Sequence, residues 1–222
     1  MRNNFQNKTV VVIGISSGIA AYKILDLIKI LKAGDCEIYV IMTKHAAMMV
    51  DSEEFAKISG HKVYIDLFPK GFDYRKVLKT REVEHIQLAD SASLFIIAPA
   101  TANIIAKIAV GVADDFLTTS LLATIAPVFI YPSMNPHMWS NPIVQENIKK
   151  LKQIGYHIFS PATGLLACGY QGMGRLPDVK FIAEEIFQFL KQENKLKGKK
   201  IIVTAGGTVE EIDKVRVITN KA

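Results

Sequence analysis

Runs of Val and Ile just long enough for a buried strand alternate along this chain with segments of 3.6-residue periodicity, and that alternation leaves few folds open. Thr9 to Ile15 precedes Ile19 to Lys32, Glu37 to Thr43 precedes His45 to Ile58, and Leu94 to Ala98 precedes Ala102 to Ile125. Val128 to Tyr131, Asn141 to Ile154 and Tyr156 to Ser160 continue the series. Strands that are apolar at nearly every position must be covered on both faces, and helices between successive strands suit a parallel sheet. A chain of 222 residues that is 50% hydrophobic carries enough apolar material for such a core.

Two stretches break the pattern. Phe68 to Arg81 is charged and aromatic, a candidate lid. Pro161 to Asp178 gathers Gly164, Gly169, Gly172 and Gly174 around Cys168, which predicts a mobile flap before helix Val179 to Lys191 resumes. Beyond Lys195-Leu196-Lys197-Gly198 a fresh strand, Lys199 to Thr204, leads into Ala205-Gly206-Gly207-Thr208, and the chain ends at Ala222 before the helix and strands such a start demands. The expected organisation is a domain over residues 1–192, with 193–222 as linker and the opening of a second domain, cut short. The expected fold class is α/β: a three-layer Rossmann-like or flavodoxin-like parallel sheet with helices on both faces.

Composition excludes several classes. Cys36 and Cys168 are the only cysteines, too few for a disulfide framework or a Cys-based zinc site, so free thiols in a reducing cytoplasm are expected. Cys36, beside Asp35 between a helix and a strand, reads as packing. His45, His61, His137 and His157 show no metal-ligand spacing, so no metal is assigned. Met1 to Lys8 runs straight into a strand without a signal-peptide stretch, and no segment reaches the ~18 apolar residues of a membrane span, so a soluble protein without a membrane partner is expected. The formal charge of +6 sits largely in Lys191 to Lys200 and at helix ends, with no basic stripe interleaved with aromatics, which argues against nucleic acid. A mild positive field suits a phosphorylated small molecule as well as it suits a solvated surface.

The chemistry gathers where strands end. Pro132-Ser133-Met134-Asn135-Pro136-His137-Met138-Trp139 follows an apolar strand, at the sheet edge where open α/β sheets bind ligands. Its amide can fix a planar polar group while Met and Trp offer a soft wall for a ring system; a proline-bounded turn whose Trp plugs the sheet edge is the other reading. Gly14-Ile15-Ser16-Ser17-Gly18-Ile19-Ala20 joins the first strand to the first helix, with small residues and hydroxyls that admit a phosphate or simply make a tight turn. It departs from the dinucleotide fingerprint, since Ser16 replaces the second glycine. Pro99-Ala100-Thr101-Ala102-Asn103-Ile104 is another such junction, where Thr101 is a helix cap or a ligand contact. Three polar junctions on one edge favour a shared crevice over three separate caps. His85, beside Glu84 at the start of a short helix, is either structural or an acid–base group, and Cys168 in the flap is a candidate reactive thiol.

Taken together, Ser17-Gly18-Ile19-Ala20-Ala21-Tyr22-Lys23, His85, Pro99 to Asn103, Pro132 to Trp139 and Ala167-Cys168-Gly169-Tyr170-Gln171-Gly172-Met173-Gly174-Arg175 resemble the flavin-containing cysteine decarboxylases, most of all their phosphopantothenoylcysteine branch. The resemblance runs in order over residues 8 to 190, and the Cys flap separates this group from the flavin prenyltransferases that share the fold; Ile104 stands where the family usually has Thr. The tail, Ile201 to Asn220, looks like the start of the synthetase domain fused to such decarboxylases, so no ligase activity is expected. The resemblance implies FMN held between subunits of a homotrimer or a multiple of trimers. Ser17, Gly18, Ile19, Thr43, Thr101, Ala102, Asn103 and Ser133 would hold the cofactor, and Asn135, Ala167 and Arg175 the substrate. His85 and Cys168 would be catalytic, Cys168 as proton donor.

That chemistry has a physical reason. Direct loss of CO2 from a cysteine carboxylate leaves an unstabilised carbanion, and no side chain is an electron sink, whereas a flavin is. Transient oxidation to a thioaldehyde, CO2 loss as an enethiolate and re-reduction would turn phosphopantothenoylcysteine into phosphopantetheine, a step of coenzyme A biosynthesis. Two other readings share the motifs: a peptidyl-cysteine decarboxylase, and a non-catalytic flavoprotein that regulates a partner.

Overall fold

The computed structural model describes residues 9–68, 70–167, 169–193 and 209–219. The chain divides into two compact units, Met1–Glu185 and Ile186–Ala222.

In the first unit six strands form one parallel sheet: β1 (Thr9–Ile15), β2 (Cys36–Met42), β3 (Val63–Tyr64), β4 (Leu94–Ala100), β5 (Val128–Pro132) and β6 (His157–Ile158). Their order is β3-β2-β1-β4-β5-β6, so the chain reverses its direction of travel between β1 and β4. That reversal opens a crevice beyond the strands' carboxyl ends. Because successive side chains point to opposite faces, Val10 and Val12 join a cluster with Phe95 and Ile97, while Val11 and Ile13 are buried on the other side. The fold is the expected doubly covered α/β sheet.

The intervening helices are α1 (Ile24–Ala33), α2 (Lys44–Ala47), α3 (Ser52–Ser59), α4 (Tyr74–Thr80), α5 (Glu84–Ser91), α6 (Ala102–Val110), α7 (Phe116–Ala123), α8 (Pro136–Trp139), α9 (Pro142–Gln153) and α10 (Val179–Glu193). Leu88 of α5, Ile104, Ile105 and Ile108 of α6, Leu117 and Leu121 of α7, and Ile148 and Leu151 of α9 cover the face that carries Val12. On the other side α1 and α3 pack on each other and on β2. Cys36 is a free, buried thiol whose pKa is raised by burial, the packing residue expected.

Two segments that periodicity joins are each broken into two helices. His45 to Ile58 is interrupted before Asp51, whose carboxylate accepts from the Glu53 amide at 2.9 Å and starts α3 afresh. Ala102 to Ile125 stops at Gly111, with φ +75°, and resumes where Asp115 accepts from the Thr118 amide at 2.8 Å while the Asp115 amide donates to Thr118 Oγ1 at 3.2 Å. That reciprocal cap satisfies amides an α-helix leaves open at its start. Asp115→Ala is expected to cost about 1 kcal/mol, seen as a lower urea midpoint with an unchanged slope.

The flap stretch is an antiparallel hairpin, β7 (Ala162–Leu165) with β8 (Gln171–Arg175). Among its described residues Gly169 and Gly174 alone take positive φ, +83° and +156°. The proposed lid contains α4, capped by Asp73 on the Arg75 amide at 2.9 Å. In the second unit, β9 (Val209–Glu211) pairs antiparallel with β10 (Val217–Thr219), and Asp213 closes the turn by accepting from the Val215 and Arg216 amides. The expected strand Lys199 to Thr204 lies outside the described residues.

Candidate functional site

At the carboxyl edge of the sheet, hydrogen bonds fasten four segments of chain into one wall. The hydroxyl of Ser16, just past β1, donates to the Pro99 carbonyl at 2.7 Å and accepts from the Thr101 amide at 3.0 Å. Ser16 is therefore a buried structural residue, and of the hydroxyl pair in this loop it is Ser17 that faces the cavity. The Ser133 amide donates to the Ala100 carbonyl at 2.9 Å, which brings the segment after β5 against the end of β4. The Met134 amide donates to the Gly174 carbonyl, also at 2.9 Å, and this bond docks the hairpin.

These bonds frame a cavity of about 670 Å³. Ser17, Gly18, Ile19, Thr101, Ala102 and Ser133 line it, together with Asn135, Ala167 and Arg175. The three strand-to-helix junctions thus meet in one crevice. Thr43 and Asn103 stand outside its lining: Thr43 caps α2 by accepting from the Ala46 amide at 3.2 Å, and Asn103 is exposed in the first turn of α6. Cys168 lies outside the described residues.

Met134 and Met138 of the Pro132 to Trp139 motif line it as expected, and with Leu165, Leu166 and Leu176, which the motifs did not single out, they make the wall largely apolar; Lys23, from the Ser17 to Lys23 motif, also lines it. Ile19 and Tyr22 leave 64% and 57% of their surface exposed, so the rim offers apolar area that a ligand or another subunit can cover. Trp139 plays the plainer of the roles open to it: it packs, half-buried, against the core and does not line the cavity.

Gly18 shows how tight the floor is. A Cβ there would sit 2.9 Å from Cγ of Pro99, so only a residue without a side chain lets the two junctions close on each other. Asn135 is held as well, its Oδ1 accepting from the His137 amide at 2.8 Å as the cap of α8.

His85 is placed elsewhere. It lines a second cavity of about 560 Å³ with Lys62, Phe68, Phe72, Glu84 and Phe116, and the two cavities share no lining residue. Its ring meets Phe116 edge-on, centroids 6.1 Å apart, and burial lowers its pKa, which keeps the imidazole neutral near pH 7. Within one chain, then, His85 and Asn135 do not face the same cavity. Among the described residues no cluster of His, Cys, Asp and Glu could hold a metal ion, and no helix is long and apolar enough to cross a membrane.

A family model described as "Flavoprotein" matches residues 2–191, and one described as "DNA/pantothenate metabolism flavoprotein C-terminal domain" matches residues 196–222. The chain is 44% identical over 218 residues to the coenzyme A biosynthesis bifunctional protein CoaBC of Bacillus subtilis, covering 97% of this chain and 52% of that one. It is 40% identical over 210 residues to the CoaBC of Borreliella burgdorferi, covering 95% and 52%. The chain thus spans about half the length of the curated relatives it matches. Among solved structures, a PPC decarboxylase mutant complexed with pantothenoylaminoethenethiol superposes with a TM-score of 0.71 at 26% identity, over 83% of this chain and all of that one. The FMN-dependent cysteine decarboxylase SpaF gives 0.66 at 29% identity, over 81% and 96%.

Proposed function

The chain belongs to the flavoprotein family, and from that premise we propose that it decarboxylates phosphopantothenoylcysteine to phosphopantetheine with FMN as cofactor, in coenzyme A biosynthesis in the cytoplasm. The observation that carries the reading is the crevice itself: a largely apolar cavity, cradled at Gly18, into which Ser17, Thr101, Ser133 and Asn135 bring polar groups from separate junctions. Those residues fit a flavin, which needs an apolar slot for its rings and hydroxyl or amide partners at its edges. In this reading Ser17, Gly18, Ile19, Thr101, Ala102 and Ser133 hold FMN, and Thr43 and Asn103, which stand outside the lining, would reach it only once it is bound. We further divide the chain into a decarboxylase domain over 1–192 and the opening of a synthetase domain over 193–222.

When bound, FMN would supply the two-electron oxidation of the thiol-bearing carbon that lets the adjacent carbon lose its carboxylate as CO2. The protein's own groups do the rest. Fixing Oδ1 of Asn135 on the cap defines Nδ2 as the donor end, the group that pairs with a carboxylate and holds the breaking bond in line. Met134, Met138 and Leu166 keep water from that carboxylate. Neutral His85 accepts a proton, and Cys168 returns one. Because His85 lines a separate cavity, the complete site takes the crevice of one subunit and the His85 side of another, which suits a homotrimer.

The purified protein is expected to be yellow and to release CO2 from phosphopantothenoylcysteine. Colourless protein that takes up no added FMN, or yellow protein that releases no CO2, would overturn the proposal.

A further inference from the structure

Charge is distributed unevenly in the crevice. Its lining holds two cations, Lys23 and Arg175, and no Asp or Glu. Lys23 belongs to the wall built after β1, whereas Arg175 ends β8 on the hairpin. Its side chain passes over Gly164 of the paired strand, where a Cβ would come within 3.4 Å of both Cδ and Nη1, so the missing side chain leaves it room. Among the described residues Arg175 has no carboxylate partner. An unpaired guanidinium lining an apolar cavity without acids suits an anion.

Under the function proposed above, on which this inference rests, three anionic groups enter the crevice: the cofactor phosphate, the substrate carboxylate and the substrate phosphate. Ser17, Gly18 and Lys23 form the wall for the first, and Asn135 suits the second. We infer that Arg175 binds the substrate's phosphate and is the residue by which this crevice distinguishes a phosphorylated substrate from an unphosphorylated or peptidyl one. The planar fork of a guanidinium matches two phosphate oxygens at once, which a lysine ammonium does not.

The test uses the FMN-loaded protein with Arg175→Gln and Arg175→Lys, comparing kcat/KM on phosphopantothenoylcysteine and on its dephosphorylated form, and the affinities for FMN and riboflavin. The wild-type protein is expected to prefer the phosphorylated substrate by about ten- to hundredfold, the range of a hydrogen bond to a charged group. Arg175→Gln should abolish that preference, lowering kcat/KM about ten- to hundredfold more on the phosphorylated substrate than on the dephosphorylated one without changing the ratio of FMN to riboflavin affinity, and Arg175→Lys should fall between. An equal loss on both substrates, a wild type that shows no preference, or a changed preference for FMN over riboflavin would each overturn the assignment. A wild type that binds FMN yet releases no CO2 from either substrate would overturn the proposed function, and this assignment with it.

Discussion

Co-expression of a His85→Asn chain with an Asn135→Ser chain is expected to recover about a quarter of wild-type CO2 release, although neither chain works alone. Each variant by itself should be yellow and slowed by about a hundred- to ten-thousandfold, the usual range for losing a positioned proton acceptor or a substrate-orienting group. The recovery follows from His85 and Asn135 lining different cavities. In a random mixture, half of the crevices keep Asn135, and half of their neighbours supply His85. Ser is chosen at position 135 because it retains an N-cap oxygen for the His137 amide while removing the amide donor. Mixed assemblies as inactive as either parent would mean that one chain builds its whole site.

Gly174→Ala is the second large effect. A Cβ at this position would lie 2.0 Å from the Met134 carbonyl oxygen, and Gly174 itself accepts from the Met134 amide at 2.9 Å. A Cβ is fixed by its own backbone and the oxygen it meets is main chain, so no rotamer relieves the clash, and the hairpin must lift from the segment that carries Ser133 and Asn135. Turnover is expected to fall more than a hundredfold while flavin absorbance is retained. Gly155→Ala provides the control: it also has positive φ, +99°, but nothing within 4 Å of the added carbon. That variant should lose about 1 kcal/mol of stability through backbone strain and keep its activity. Gly174→Ala with wild-type turnover would show that the docked hairpin is irrelevant to catalysis.

The sheet was readable in advance because β1, β2, β4 and β5 are near-continuous apolar runs, and burial on both faces requires that pattern. The helix breaks before Asp51 and Asp115 were not read, because apolar periodicity persists across both. The local signals were there: an Asp before each new start and Gly111 at the earlier stop. At the site, the junction motifs located the residues that converge, since strand ends in such a sheet share an edge. Leu165 escaped notice because a leucine in a strand looks like any core residue. The separation of His85 from Asn135 was also invisible, as chain order carries no distances.

The bonds that fasten the crevice run between main-chain groups, or through Ser16, whose hydroxyl lies outside the lining. Descendants of this fold can therefore exchange what faces the ligand without loosening the frame. Adopting a new cargo then takes a few substitutions at the wall, with no rebuilding of the architecture beneath.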